Sequence, residues 1–310
     1  MMSLTDDEND APRVHLPVMR AEVLALMEPR EGAVVVDATA GGGGHLAAIA
    51  EQVGPRGRVI ALDRDPRAHR DDAAGGVARR FADRVTLVQR PFGDVVEVLA
   101  SLGVTEVDAL LADLGVSSMQ LDEDARGFSF LRDGPLDMRM DTSDGETVRD
   151  LLDRVDEEEL ADILFTLGEE RASRRVARAI KRADPAPTST TALADVIARA
   201  LGGRRGRFHP ATRSFQALRI ATNRELDELD RLLDALPRVV KVGGRAAVIS
   251  FHSLEDRKVK RCFKESHASI DDVEPRWRPI TKKPVVASDD EVRQNPRARS
   301  AKLRVAERRS

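Results

Sequence analysis

Short apolar runs that stop at an acid set the rhythm of this chain. Residues 33–37, Ala-Val-Val-Val-Asp, are rich in β-branched side chains and lead into four glycines, which predicts a buried parallel strand entering a turn. Residues 45–53 carry apolar side chains at 46, 49, 50 and 53, a helical spacing closed by Gly54-Pro55. Arg58–Asp63, Val85–Gln89 and Val107–Asp113 repeat the strand pattern, and residues 246–250, after Gly243-Gly244, make a fifth. Residues 301–307 alternate as an edge strand would. Strands alternating with helical segments predict a parallel α/β sheet with right-handed crossovers.

The alternation lapses between about 141 and 208. There, residues 147–167, 169–181 and 192–201 read as helices, 184–187 as a linker, and 188–191 as a source of N-caps. The expected organisation is a disordered 1–12, a core made of 13–140 plus 209–310, and an all-helical insertion at 141–208.

In an open parallel sheet, ligands bind beyond the carboxyl ends of the strands. Asp37, Asp63 and Asp113 stand at three such ends, and Gly41-Gly42-Gly43-Gly44 follow the first. Glycine lets backbone approach a ligand without a Cβ in the way. Asp63 lies 22 residues after Gly41, where an acid can accept from both hydroxyls of a ribose. The loop ends Gly-His-Leu, so it is no phosphate-cradling P-loop, and Ala47 stands where a dinucleotide fold usually has its third glycine. S-adenosylmethionine, which lacks a pyrophosphate, suits the loop better. A dinucleotide and a ligand-free tight turn remain open at this point.

With 41% hydrophobic and 33% charged residues, the 310-residue chain can bury a core and still face water. No apolar run approaches the roughly 20 residues of a membrane span. Cys262 is the lone cysteine, which excludes an internal disulfide and a cysteine-based zinc site and suggests a cytoplasmic protein. His, Cys and acids show no ligand-like clustering, so no metal is expected. The net charge of −3 hides an asymmetry: residues 1–162 hold 34 acidic and 17 basic side chains, residues 163–310 hold 19 and 33. A basic half suits a polyanion. Arg171, Arg174, Arg175, Arg178, Lys181 and Arg182 form one acid-free run; Arg204, Arg205, Arg207, Arg213 and Arg219 form a second; 293–309 holds a third. Solvated, salt-bridged helices are the plain alternative for each.

Ten stretches then make the sequence recognisable. They are His15-Leu-Pro-Val-Met19, Asp37-Ala-Thr-Ala-Gly-Gly-Gly-Gly-His45, Asp63-Arg-Asp-Pro66, Asp113-Leu-Gly-Val-Ser-Ser-Met-Gln-Leu-Asp122 and Arg126-Gly-Phe-Ser-Phe130. With them come Asp133-Gly-Pro-Leu-Asp-Met-Arg-Met-Asp141, Gly168-Glu-Glu-Arg171, His209-Pro-Ala-Thr-Arg-Ser-Phe-Gln-Ala-Leu-Arg-Ile220, Ser250-Phe-His-Ser-Leu-Glu-Asp-Arg257 and Asn295-Pro-Arg-Ala-Arg-Ser300. Over residues 15–307 the chain closely resembles the bacterial ribosomal RNA small-subunit methyltransferase H family, also known as the MraW methyltransferases. The resemblance implies a class I S-adenosylmethionine-dependent methyltransferase fold, Rossmann-like, with an inserted all-helical subdomain. It implies methyl transfer to N4 of a cytidine in the decoding region of 16S rRNA, with the small ribosomal subunit as partner. It places cofactor contacts on Gly43, Gly44, His45, Asp63, Phe92, Asp113 and Gln120; Phe92 and Gln120 come from the resemblance alone. Met119 departs from the proline of many members, and 266–291 is shorter than in some.

A cytosine amine is a weak nucleophile because its lone pair is delocalised, so it must be aligned and held pyramidal by hydrogen-bond acceptors. Methylation at C5 would instead need a thiolate, and Cys262, in a predicted helix, is a poor candidate. Asp113 and His252 are the candidate catalytic residues, with Asp113 alternatively touching only cofactor. Phe128, Phe130 and Phe251 are candidate stacking rings for a flipped base, each also explicable as core. Ser253, Asp137 and Asp141 are weaker candidates. A DNA amine methyltransferase, a non-catalytic ribosome-assembly factor and a dehydrogenase compete with the rRNA reading. Whether the chain forms a homodimer is left open.

Overall fold

In the computed structural model, residues 17–203, 209–265 and 276–309 are described. The expected disorder of 1–12, and Arg204, Arg205 and Arg207, lie outside them. Seven strands, β1 (Val34–Asp37), β2 (Arg58–Asp63), β3 (Val85–Gln89), β4 (Val107–Asp113), β5 (Val240–Ser250), β6 (Trp277–Pro279) and β7 (Lys302–Arg308), form one sheet in the order β3-β2-β1-β4-β5-β7-β6. The first five pair in parallel, and β7 runs antiparallel between β5 and β6. This is the class I methyltransferase architecture expected from the sequence.

Alternation along the strands builds two cores. Val35, Val59, Leu111 and Ile249 face α1 (Arg20–Met27), α2 (Gly44–Val53) and α3 (Ala74–Arg80). Val36, Ile60, Leu110 and Val248 face the other side, covered by α4 (Val95–Ser101) and the later helices. Both faces are buried, which is why the strands read as continuous apolar runs. β5 starts six residues before the expected 246: Gly243 takes φ 80°, and the β4–β5 register shifts between Val107 and Ala109. A strand that bulges at a glycine pair does not show the pattern that marks an unbroken one.

After β4 come α5 (Ser118–Asp122), α6 (Val148–Arg154), α7 (Glu157–Gly168), α8 (Ser173–Lys181), α9 (Thr190–Ala200), α10 (Thr212–Asn223), α11 (Glu225–Val239) and, after β5, α12 (Ser253–Glu265). The single helix expected at 147–167 is two, because Asp156 caps a new one by accepting from Glu159 N–H at 2.8 Å. A third buried cluster spans Phe128 to Leu218. We therefore propose that the helical unit extends past 141–208 on both sides. Asn223 joins its parts, its amide donating to the Met138 and Arg219 carbonyls and accepting from Met140 N–H, and its own carbonyl accepts from Arg64, just after β2, at 2.9 Å. Among the described residues no helix is long and apolar enough to cross a membrane.

Candidate active site

The strand order reverses beside β1: β2 lies on one side and β4 on the other. Such a switch point opens a crevice beyond the strand ends. A cavity fills it, lined by Gly41, Gly42, Gly44 and His45 after β1, Asp63 and Arg64 after β2, Phe92 after β3, and Asp113 to Ser117 and Gln120 after β4. Phe251 and Glu255 line it after β5, Glu225 and Leu229 from α11, and Arg297 from the chain before β7.

Six of the seven expected cofactor residues thus meet in one place; Gly43 does not line it. Gly43 has φ 83°, and a Cβ there would sit 2.7 Å from Val77 Cγ2 and 3.0 Å from Ala74 Cα. It is glycine so that α3 can pack on the loop. Gly43→Ala is expected to cost about 1–3 kcal/mol through overpacking and positive φ, seen as a lower urea midpoint with unchanged slope. An unchanged midpoint would mean that α3 moves away freely.

Asp63 secures the loop by accepting from Gly41 N–H at 2.7 Å and from Asp65 N–H at 2.8 Å. A carboxylate has about four acceptor sites, so two remain for a ligand. Gln120 is otherwise occupied. Its Oε1 accepts from Ser117 N–H at 2.9 Å and its Nε2 donates to buried Asp65 at 2.8 Å. It shapes the wall and has little left to offer a ligand.

The strand-end acids are close together and poorly solvated. Burial pushes Asp37 up to about 7 and Asp63 up to about 6, and raises Asp113 well above the usual carboxylate range, with Asp37 and Glu255 adding to it. Burial also lowers His45 to about 4, so its ring is neutral. His45 Nε2 lies 3.6 Å from Asp113 Oδ2. Among the described residues, His45 Nε2, Asp113 Oδ1 and Asp37 Oδ2 are buried without a hydrogen-bond partner. Orphaned buried polar atoms beside a cavity mark a place where a polar ligand completes the bonding.

The far wall was less legible. Arg219, on α10, grips both oxygens of Glu225 at 2.8 Å. Glu255 accepts from the Phe251 and His252 N–H groups at 2.8 and 3.3 Å. Ligand atoms of Glu225, His252 and Glu255 lie within 4.8 Å of one another, a clustering the sequence did not suggest. With Arg219 on both Glu225 oxygens, the set is an ion-paired network. Glu255 had a signal, its place three residues after His252 at a helix start; Glu225 and Arg219 had none pointing to the cavity.

Of the three candidate rings, only Phe251 lines the cavity. Phe130 packs between His209 and Phe215, and Phe128 is buried beneath Arg126. Ser253 donates to Glu169 at 2.5 Å, Asp137 pairs with Arg139 at 2.8 Å, and Asp141 accepts from Ser143. Burial pushes the Cys262 thiol up to about 12, which disfavours a thiolate, and Cys262 does not line the cavity.

The basic runs divide too. Arg171 precedes α8, and Arg178 and Arg182 find their acid, Glu157, on α7. Arg171, Arg174 and Arg175 are exposed, with no ion pair among the described residues. Arg219 is internal, and Arg297 and Arg304 are paired with Asp122 and Asp256.

The sequence profile of the MraW methylase family matches residues 13–309. The chain belongs to that family. Two relatives of this MraW-family chain bear the name ribosomal RNA small subunit methyltransferase H. The one from Sorangium cellulosum is 54% identical over 297 residues, covering 95% of this chain and 90% of its own. The one from Bradyrhizobium diazoefficiens is 50% identical over 309 residues, covering 96% and 92%. Among solved structures, an rRNA methylase from Streptococcus thermophilus is similar at 12% identity and a TM-score of 0.40, over 98% of this chain and 100% of the other.

Proposed function

We propose that this MraW-family methylase transfers the methyl group of S-adenosylmethionine to N4 of a cytidine in the decoding region of 16S rRNA, within the small ribosomal subunit. The observation that carries the reading is the cavity at the strand switch point. There a glycine loop, a strand-end acid and orphaned polar atoms face one another. The names of the relatives support rRNA of the small subunit as the substrate. The family resemblance supports the cytidine amine, and the inert Cys262 argues against C5 chemistry.

The residues fit the cofactor by chemical type. Asp63 would accept from the ribose, Phe92 and Leu229 offer an apolar wall to adenine, and the glycine loop with His45 and Asp113 would hold the amino-acid end. Bound there, S-adenosylmethionine supplies an electrophilic methyl group. Phe251 would take one face of the base, and exposed Arg171, Arg174 and Arg175 would meet phosphates.

The reading is tested by methyl transfer to small subunits, intact and stripped of protein, with the modified nucleoside mapped. Methylated cytidine in the decoding region is expected. Transfer to DNA alone would overturn it.

Cofactor binding should also depend on pH. Asp37, raised to about 7, is partly protonated at neutrality, and Asp63, raised to about 6, takes up its proton just below it. A ligand bearing a sulfonium and an ammonium favours the charged carboxylates, so binding expels protons. Affinity is expected to rise between about pH 5 and 8, with a calorimetric heat at about pH 6.5 that varies with the buffer's ionisation enthalpy. A flat profile would show that these acids do not respond to the cofactor.

A further inference from the structure

Two histidine–carboxylate pairs stand at the cavity, the second reaching it through its carboxylate alone. His45–Asp113 belongs to the glycine loop and β4. His252–Glu255 belongs to the turn after β5, beside Phe251. The second pair has a built geometry. His252 acts as the N-cap of α12: its Nδ1 accepts from Glu255 N–H at 3.5 Å, and Glu255 accepts in return from His252 N–H. This is the reciprocal logic of a capping box with imidazole in place of a hydroxyl. With Nδ1 accepting, Nε2 is the ring nitrogen left to donate. Nε2 lies 3.1 Å from Glu255 Oε1 and, among the described residues, has no partner in hydrogen-bond geometry. The Glu255 side chain is 3% exposed yet lines the cavity.

We propose that Glu255, oriented by His252, is the catalytic acceptor for the exocyclic amine of the substrate base. The inference rests on the cytidine-amine reading and names the proton acceptor within it. Oε2 is held by the Phe251 and His252 N–H groups, which leaves Oε1, 3.1 Å from His252 Nε2, as the oxygen that can accept from a ligand. An amine hydrogen donated to Oε1 draws the nitrogen out of conjugation and frees its lone pair. As that pair forms the bond to the methyl carbon, sulfur keeps the electrons of the broken bond and leaves as a thioether. The nitrogen, now positive, loses one proton to Oε1, while the Phe251 and His252 N–H groups on Oε2 keep the carboxyl group in place. A uracil presents a carbonyl at the same place and would meet a carboxylate with no hydrogen between them.

Four charged or titratable groups face Glu255: His252 on its own turn, Arg219 from α10, Glu225 from α11 and Asp113 from β4. Burial works against its charge, but His252, Arg219 and the Phe251 N–H outweigh burial and hold it below the usual range. Asp113 is raised instead. The two candidate acceptors therefore predict different acid limbs. With Glu255 as acceptor, the acid limb of kcat at saturating cofactor falls below the ordinary carboxylate range. With Asp113 it falls above that range.

The test compares wild type, Glu255→Gln, Glu255→Asp and His252→Asn on the same small-subunit substrate. Thermal midpoint and calorimetric S-adenosylmethionine affinity are measured on each. Glu255→Gln is expected to lower kcat on the order of 10²–10⁴-fold while cofactor affinity changes less than about twofold. Glu255→Asp should recover part of the rate, and His252→Asn, which keeps the cap acceptor, should lose about tenfold. Should Glu255→Gln not fold, the Asp and Asn variants and the wild-type acid limb decide. A Glu255→Gln rate within about threefold of wild type, or a wild-type acid limb of kcat above the ordinary carboxylate range, overturns the proposal alone. Wild type that methylates a position other than a cytidine amine overturns the function reading with it.

Discussion

Replacing Arg126 by Met is expected to destabilise the protein by about 3–5 kcal/mol, the cost of breaking a buried ion pair from one side. Arg126 and Asp65 are 4% and 2% exposed, and Nη1 donates to Asp65 Oδ2 at 2.9 Å. Nη2 donates to the Arg139 and Met140 carbonyls at 2.9 and 2.8 Å. Met fills similar space but leaves Asp65 without its counter-charge and two carbonyls without this donor. Lys would fare little better, because one ammonium cannot reproduce the planar fork. The loss would be a large share of the roughly 5–15 kcal/mol that stabilises a typical domain. It would be read from urea unfolding at constant slope. Function should suffer too, since Asp65 holds Gln120 and Arg126 holds Met140, both at the cavity wall. A loss under about 1 kcal/mol would show that water replaces the guanidinium there.

Asp63→Ala is expected to weaken S-adenosylmethionine binding about 100-fold. Hydrogen bonds to a charged acceptor contribute about 1.5–3 kcal/mol each, and the ribose would lose its acceptor. The loop loosens as well, because Gly41 N–H and Asp65 N–H lose theirs. Asp63→Asn, which keeps the shape and one acceptor oxygen, should lose less. Calorimetry on the three proteins checks this, and equal affinity for wild type and Asp63→Ala would remove the ribose role.

Some of the molecule was legible because its cause is local. β2, β3 and β4 fall on the expected residues, since a strand buried on both faces needs an unbroken apolar run. The acids at their ends and the glycine loop between β1 and α2 follow from the same pattern. The three-residue β6 and the short α1 are too brief to show a period.

The departures from expectation have a common cause. Gly43 reads as a ligand contact because it is a loop glycine, but whether its missing Cβ faces a cavity or a helix depends on where α3 returns. Gln120 belongs to the motif, but its amide serves Asp65, which is 55 residues away. The arginine runs look alike in sequence, yet Arg219 and Arg304 are paired inside the molecule while Arg174 and Arg175 are exposed.

By itself, then, the sequence determined the parallel sheet, the glycine loop and the strand-end acids, because burial on two faces and backbone freedom are local demands written into consecutive residues. The far wall of the cavity was decided by tertiary structure alone. Arg219, Glu225, His252 and Glu255 belong to three helices and a turn, and they meet only because the helical unit leaves the sheet after β4 and returns at α10 and α11. A charge network of that kind comes from how separate elements pack, and no spacing along the chain records it.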